Sequence, residues 1–209
     1  MTTVLHRSKS IWILTPAFGS FLFIVLYVIA ALLYPGGSGT DKAAIGYSWT
    51  DNYWCNLLNE KAINGQTNAA RPVGVTAMFI LCLSLSSFWI LFPVLTQLKK
   101  YHRLLIQVAG TVCMLTSFLL FSSIDHDLAV NTSSAFGLMA MIGTLVALYQ
   151  LKWKWLFAFG LFDLLLVALN NYLYHIRGMM IYLPVVQKFS FLSFLVWFSL
   201  IDLKLYRKL

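Results

Sequence analysis

Apolar residues along this chain come in long blocks that are separated by shorter polar segments. Six blocks approach the roughly 20 residues that a helix needs to cross about 30 Å of hydrocarbon. They cover residues 11–34, 72–95, 104–123, 133–151, 155–175 and 189–203. Polarity within them does not alternate residue by residue, as it does in the strands of a membrane β-barrel. The pattern therefore predicts an all-α fold, an integral membrane bundle of six transmembrane helices.

One long loop, residues 35–71, separates the first two blocks. It follows Tyr34–Gly39, a Pro- and Gly-rich stretch that is a strong helix stop. Within Trp49–Leu58, the side chains of Tyr53, Trp54, Leu57 and Leu58 share one helical face. An aromatic-rich amphipathic segment of this kind predicts a short helix lying in the membrane interface. Long loops in compact domains tend to be functional.

The distribution of Lys and Arg predicts the topology. Six spans place both termini and the turns around 96–103 and 152–154 on one side of the membrane, with ten Lys and Arg residues. The opposite side has five. Because basic loops stay in the cytoplasm, both termini are predicted to be cytoplasmic, in a bacterial cytoplasmic membrane. The long loop and the connection 124–132 then face outward.

Composition agrees with a single membrane domain over residues 1–209. Hydrophobic residues make up 60% of the chain and charged residues 11%, whereas soluble domains carry about 25% charged residues. The net charge of +8 comes from basic residues beside the spans, and no nucleic-acid-binding motif is present. Nucleic acid is therefore not an expected partner. The three cysteines form no CxxC pair and define no disulfide framework.

Polar residues of unusual type collect on the predicted outer side. Three chain regions bring carboxylates, histidines and amides there, which predicts an outward polar cleft. The candidate binding residues are Asp51, Glu60, Arg71, Asp125, His126, Asp127, Asp163, Asn170, Asn171, Tyr174 and His175. Arg71 is the candidate for a lipid phosphate, because its guanidinium offers a fork of donors.

A metal site is one hypothesis for this cluster. His126, His175 and Asp125 supply the imidazole and carboxylate ligands that suit zinc. A His–Asp pair can also serve as a general base. The alternative is that these residues are ordinary helix caps and solvated loop residues. No HExxH or GxSxG motif is present, and no other cofactor is predicted.

Asp163 lies about eight residues into the fifth block. A carboxylate at such a depth costs at least about 2.5 kcal/mol, so it is expected to face the bundle interior. It shares a helical stripe with Asn170 and Tyr174, which predicts a polar cleft leading outward. The alternative is a structural Asp that pairs across helices with a hydroxyl, such as that of Ser84, Ser86 or Ser87.

The layout resembles uncharacterised bacterial six-helix membrane proteins of the Frag/DRAM/Sfk-like group. The resemblance rests on residues 46–52 and 68–72 of the first outer loop and on the turn Asp125-His126-Asp127. It implies a role in membrane lipid organisation. Membrane hydrolases of the alkaline-ceramidase kind use Ser, Asp and three His around zinc. Ser123, Asp125, His126 and His175 match part of that set, but the sixth block contains no histidine.

The functional expectation is lipid binding or lipid handling at the outward cleft, with membrane lipids as partners. Two alternatives come from other classes. One is a non-enzymatic accessory subunit of a larger membrane complex, whose partners are other membrane subunits. The other is a metal-dependent membrane lipid hydrolase.

Overall fold

A computed structural model describes residues 11–119, 126–176 and 178–208, with their side chains except those of His126 and Asp127. This described part holds six α-helices and no strand. The helices are α1 (Thr15–Leu33), α2 (Arg71–Leu95), α3 (Lys100–Phe118), α4 (His126–Gln150), α5 (Lys154–His175) and α6 (Leu183–Lys208). Short 3-10 helices at Ile11–Leu14 and Met180–Tyr182 lead into α1 and α6. The prediction of an all-α fold with six helices is confirmed.

Within the described residues, five helical stretches are long and apolar enough to cross a membrane. They are Ile11–Leu33, Arg71–Leu95, Leu128–Gln150, Lys154–His175 and Met180–Lys208. Helix α3 falls outside this set, because its first two turns carry Lys100, His102, Arg103 and Gln107. By length and composition the chain is that of a membrane-integral protein.

Two helices begin several residues before the membrane spans predicted for them. Helix α4 begins at His126, so the polar residues up to Thr132 belong to the helix and not to a connection. Just after them, the hydroxyl of Ser133 donates to the Thr116 hydroxyl of α3 (2.9 Å). Helix α6 begins at Leu183 with Pro184 in its first turn, several residues before the predicted start at 189. Proline is favoured there because the first turn needs no backbone donor.

The helices pack in chain order, and the ring closes where α1 meets α6. Helix α2 also contacts α6 across the bundle. Fully buried large side chains fill the centre, among them Phe88 and Phe92 of α2, Ile106 of α3 and Trp197 of α6. Because neighbouring helices are joined end to end, the end of α5 and the starts of α2, α4 and α6 lie together. We call this end, which carries residues 34–70, the loop side.

The predicted short helix in the first loop is present, but it is a 3-10 helix over Trp54–Leu58. It does not begin at Trp49, because residues 48–51 form a separate hydrogen-bonded turn. Leu57 is buried, and the Trp54 ring packs against Phe23 of α1 and Phe191 of α6, with centroids 5.7 and 5.2 Å away. Its apolar residues therefore fasten the loop to the helix bundle.

Candidate functional site

The long loop, residues 34–70, owes its fixed shape to buried asparagine side chains. Asn52 has no exposed surface. Its amide nitrogen donates to the carbonyl of Gly37 (2.8 Å), and its amide oxygen accepts from the backbone N–H of Ser48 (2.8 Å). An asparagine side chain offers donors and acceptors together, so it can replace the missing backbone partners of an irregular segment.

A second asparagine organises the end of the loop beside α2. The amide of Asn68 donates to the carbonyls of Asn56 (3.1 Å) and Asn59 (2.9 Å). Its oxygen accepts from the backbone N–H of Ala70 (3.1 Å), one residue before α2 begins. The loop therefore enters α2 along a fixed path, which places Arg71 at the first position of the helix.

Lys188 of α6 is buried beneath the loop. Its ammonium donates to the carbonyls of Asn52 and Pro184, the second at 3.0 Å, and lies 5.6 Å from the centroid of the Tyr47 ring. A buried lysine needs such partners because losing its hydration is costly. Lys188 thus ties the loop to α6 across 136 residues of sequence. Burial also raises the pKa of the Tyr47 phenol, which keeps the ring neutral.

Arg71 and Glu60 are brought together at the edge of a concavity. Their side chains approach to 3.5 Å, and the Arg71 Nε donates to the carbonyl of Leu58 (3.1 Å). The concavity has a volume of about 470 Å³ and is lined by Glu60, Thr67, Asn68, Arg71, Pro72 and Val75. Arg71 is 37% exposed and Glu60 82%. An open ion pair of this kind contributes little to stability.

Asp51 lies in a different part of the loop. Its carboxylate accepts from the hydroxyls of Ser48 (2.5 Å) and Thr50 (2.6 Å). These two hydrogen bonds, that of Ser48 first, lower the pKa of Asp51 because they stabilise the ionised form. These hydrogen bonds close a local turn at residues 48–51. Asp51 is not among the residues that line the concavity beside Arg71.

Asp163 and Asn170, two residues of the stripe predicted to line a polar cleft, both bond to α6. Asp163 is fully buried, and its Oδ1 accepts from the Ser193 hydroxyl at 2.5 Å. The amide of Asn170 donates to the Ser190 hydroxyl at 2.6 Å. The hydroxyl partner of Asp163 therefore lies on α6, whereas the candidates named from sequence were on α2. Tyr174, the third residue of the stripe, is exposed.

The remaining predicted residues at the end of α5 point away from the other helices. Asn171 and His175 are exposed, and each bonds to a carbonyl of its own helix, that of Val167 and of Asn171 respectively. The ring of Tyr174 packs edge-on against that of His175. In the described residues, no interaction joins these three side chains to Arg71 or to Asp51.

The zinc hypothesis depends on residues that are mostly outside the described part. Asp125 is not described, nor are the side chains of His126 and Asp127. Across residues 11–119, 128–176 and 178–208, no group of three His, Cys, Asp or Glu side chains is placed to hold a metal ion. The metal set therefore stays a prediction.

Two contacts between residues far apart in the sequence were not predicted. The Lys188–Asn52 bond and the Asp163–Ser193 bond join residues 136 and 30 positions apart. The nearest signal was the row Gln187, Ser190 and Ser193, whose spacing of three puts polar groups on one side of an apolar helix.

No protein-family model, curated protein or solved structure matches the chain. The resemblance to the Frag/DRAM/Sfk-like group thus rests on the layout of the sequence alone.

Proposed function

We propose that all six helices cross a membrane with both termini in the cytoplasm, and that the outward loop side binds the phosphate group of a lipid. Five helices have the necessary length and composition. For α3, the polar first turns fit the cytoplasmic membrane surface, where Lys and Arg are favoured. The distribution of ten basic residues against five supports this orientation.

The observation that carries the proposal is the position of Arg71. It is the first residue of an apolar helix, so its guanidinium sits at the depth of the lipid headgroups when α2 spans the bilayer. One of its five N–H groups is used on the Leu58 carbonyl. Its Nη2 faces the Glu60 carboxylate at 3.5 Å, and the side chain lines a concavity of headgroup size.

The start of α2 contributes the positive end of the helix dipole, and not a set of free donors, to the attraction for an anion. The backbone N–H of Arg71 donates to the Asn68 carbonyl (3.2 Å), and Pro72 has no backbone N–H. Pro72 occupies the second position, and the loop packs closely against the turn, since a Cβ on Gly74 would lie 3.1 Å from the Leu57 carbonyl oxygen.

The test is retention of phosphatidylglycerol by the purified protein, measured by native mass spectrometry. Arg71→Gln should reduce the lipid-bound fraction by about tenfold, since a charge-assisted hydrogen bond contributes about 1.5–3 kcal/mol. Glu60→Gln should increase that fraction, because it removes the carboxylate that competes with the phosphate.

Lys61→Gln is the matched control. Lys61 is an exposed cation next to Glu60 and does not line the concavity. If the lipid-bound fraction falls equally in the Arg71 and Lys61 variants, the lipid is held by general electrostatic attraction. This result would contradict a binding site at Arg71. Copurifying polypeptides in place of lipid would favour the accessory-subunit hypothesis.

A further inference from the structure

The interface between α5 and α6 carries three buried oxygen atoms without a hydrogen-bond partner in the described residues. They are Asp163 Oδ2, Asn170 Oδ1 and Gln187 Oε1. The serines bonded to α5, Ser190 and Ser193, follow Gln187 at a spacing of three along α6. The three oxygens therefore follow one row, which runs from the loop side toward the middle of the helix pair.

All three unpaired atoms are acceptors. Burying an acceptor without a donor costs about 1–3 kcal/mol, and more for a charged group. An ionised carboxylate can accept about four hydrogen bonds, and Asp163 receives one from Ser193. A full charge on Asp163 is thus poorly compensated where it lies.

The spacing of the row distinguishes a proton from a metal cation. Asp163 and Asn170 are seven residues apart on α5, which corresponds to about 10 Å along the helix. A cation of the hard, oxygen-binding kind needs several ligands at about 2–2.6 Å, and the other unpaired side-chain oxygen of α5 in the described residues, that of Asn170, is at this larger separation. A proton needs one oxygen, and Oδ2 supplies it.

We infer that Asp163 is a proton-binding site within the membrane, reached from the loop side along the row of Gln187, Ser190, Asn170 and Ser193. A proton from hydronium adds to Asp163 Oδ2 and leaves water behind, while Ser193 stays bonded to Oδ1. Asn170 Oδ1 and Gln187 Oε1, at the loop end of the row, accept hydrogen bonds from the water that delivers the proton.

Few charged groups surround Asp163. Residues 128–150 of α4 contain no Asp, Glu, Lys, Arg or His, and Tyr149 is their titratable group. On α6, Lys188 lies five residues from Ser193 toward the loop side, and Asp202 lies nine residues toward the termini. Tyr182 precedes α6, and Lys154 and His175 stand at the two ends of α5. None of them bonds to Asp163 in the described part.

The test is infrared spectroscopy of the full chain in lipid nanodiscs, following the C=O band of protonated carboxyl groups. We expect a band that disappears as the pH rises and is missing in Asp163→Asn. Asp202 is a second buried carboxyl with an unpaired Oδ2, so Asp202→Asn serves as the background in which Asp163→Asn is compared with the unsubstituted Asp163, and the Asp163 band should remain in Asp202→Asn alone. After a pH jump, Asn170→Leu and Gln187→Leu should respond more slowly than the wild type.

A spectrum of Asp163→Asn identical to that of the wild type would overturn the inference. If the carboxyl band of both leucine variants responds to the pH jump as fast as that of the wild type, the proposed path from the loop side is wrong. Should Asp163→Asn fail to fold, Ser193→Ala decides. It removes the donor that favours the ionised form, so the band should persist to higher pH, and an unchanged titration would contradict the proton site. Lipid binding at Arg71 is unaffected by either result.

Discussion

At the scale of residues, buried asparagines give the first loop its shape. Asn52 and Asn68 are both buried, and each bonds to backbone groups of other loop segments. Such bonds replace the regular ladders that an irregular segment lacks. The loop is consequently a rigid part of the molecule, able to hold Arg71 and Lys188 in fixed positions.

Asn52→Ala should lower the free energy of unfolding by about 2–3 kcal/mol, because it leaves the Gly37 carbonyl and the Ser48 N–H without their partner. Thermal unfolding in detergent, followed by tryptophan fluorescence, measures the change. Asn59→Ala is the control, since that side chain is exposed and should shift stability by less than about 0.5 kcal/mol. Equal effects of the two substitutions would argue against Asn52 as the organising residue.

Asp51 should make the turn at residues 48–51 sensitive to acid. Hydrogen bonds from Ser48 and Thr50 hold its pKa below the ordinary value. A carboxyl with a depressed pKa contributes stability above its unfolded-state pKa of about 3.9, and this is lost as the pH falls through the folded-state pKa. Ser48→Ala should raise the pKa of Asp51, as measured by carbon NMR of labelled Asp carboxyls. An unchanged titration would contradict the assignment, and Ser134→Ala, an exposed serine on α4, is the control.

At the scale of elements, hydrophobic blocks predicted the helices well and their ends poorly. Block length identifies a helix that buries its apolar surface, but polar residues such as Asn131 and Thr132 fit either a loop or a first turn. The local pattern does not distinguish the two. The contacts of Lys188 and Ser193 could not be predicted from the sequence for a similar reason, because their partners lie far away in the sequence and come close only in the folded chain.

Helices α2 and α3 approach closely at a glycine. A Cβ added to Gly110 would lie 2.1 Å from the Cγ atom of the buried Trp89 ring. Gly110→Ala should therefore destabilise the protein by about 1–3 kcal/mol through overpacking. The midpoint of unfolding in sodium dodecyl sulfate measures this effect.

Gly137→Ala provides the comparison, because its Cβ would meet the Cys113 sulfur at 3.0 Å. A sulfur atom at the end of a side chain shifts more easily than an indole ring. Gly137→Ala should therefore destabilise the protein much less than Gly110→Ala does. A larger loss of stability in Gly137→Ala would contradict the packing described for α2 and α3.

At the scale of the whole molecule, the orientation of six spans can be tested with thiol labelling. Lys42→Cys should react with a membrane-impermeant maleimide on intact cells, whereas Lys99→Cys should react only after permeabilisation. Both positions are exposed and lie at opposite ends of the bundle. The natural Cys55 should react slowly, because burial raises the pKa of its thiol. Labelling of both engineered cysteines on intact cells would contradict the proposed topology.

The closure of the helix ring between α1 and α6 has a consequence for biosynthesis. Ala17, in the first turn of α1, donates its backbone N–H to Asp202 of α6, 185 residues later in the sequence. Helix α1 therefore acquires this neighbour only after α2 to α5 and most of α6 have been synthesised. Until then the growing chain must keep α1 in the membrane with that flank covered by lipid or by the insertion machinery.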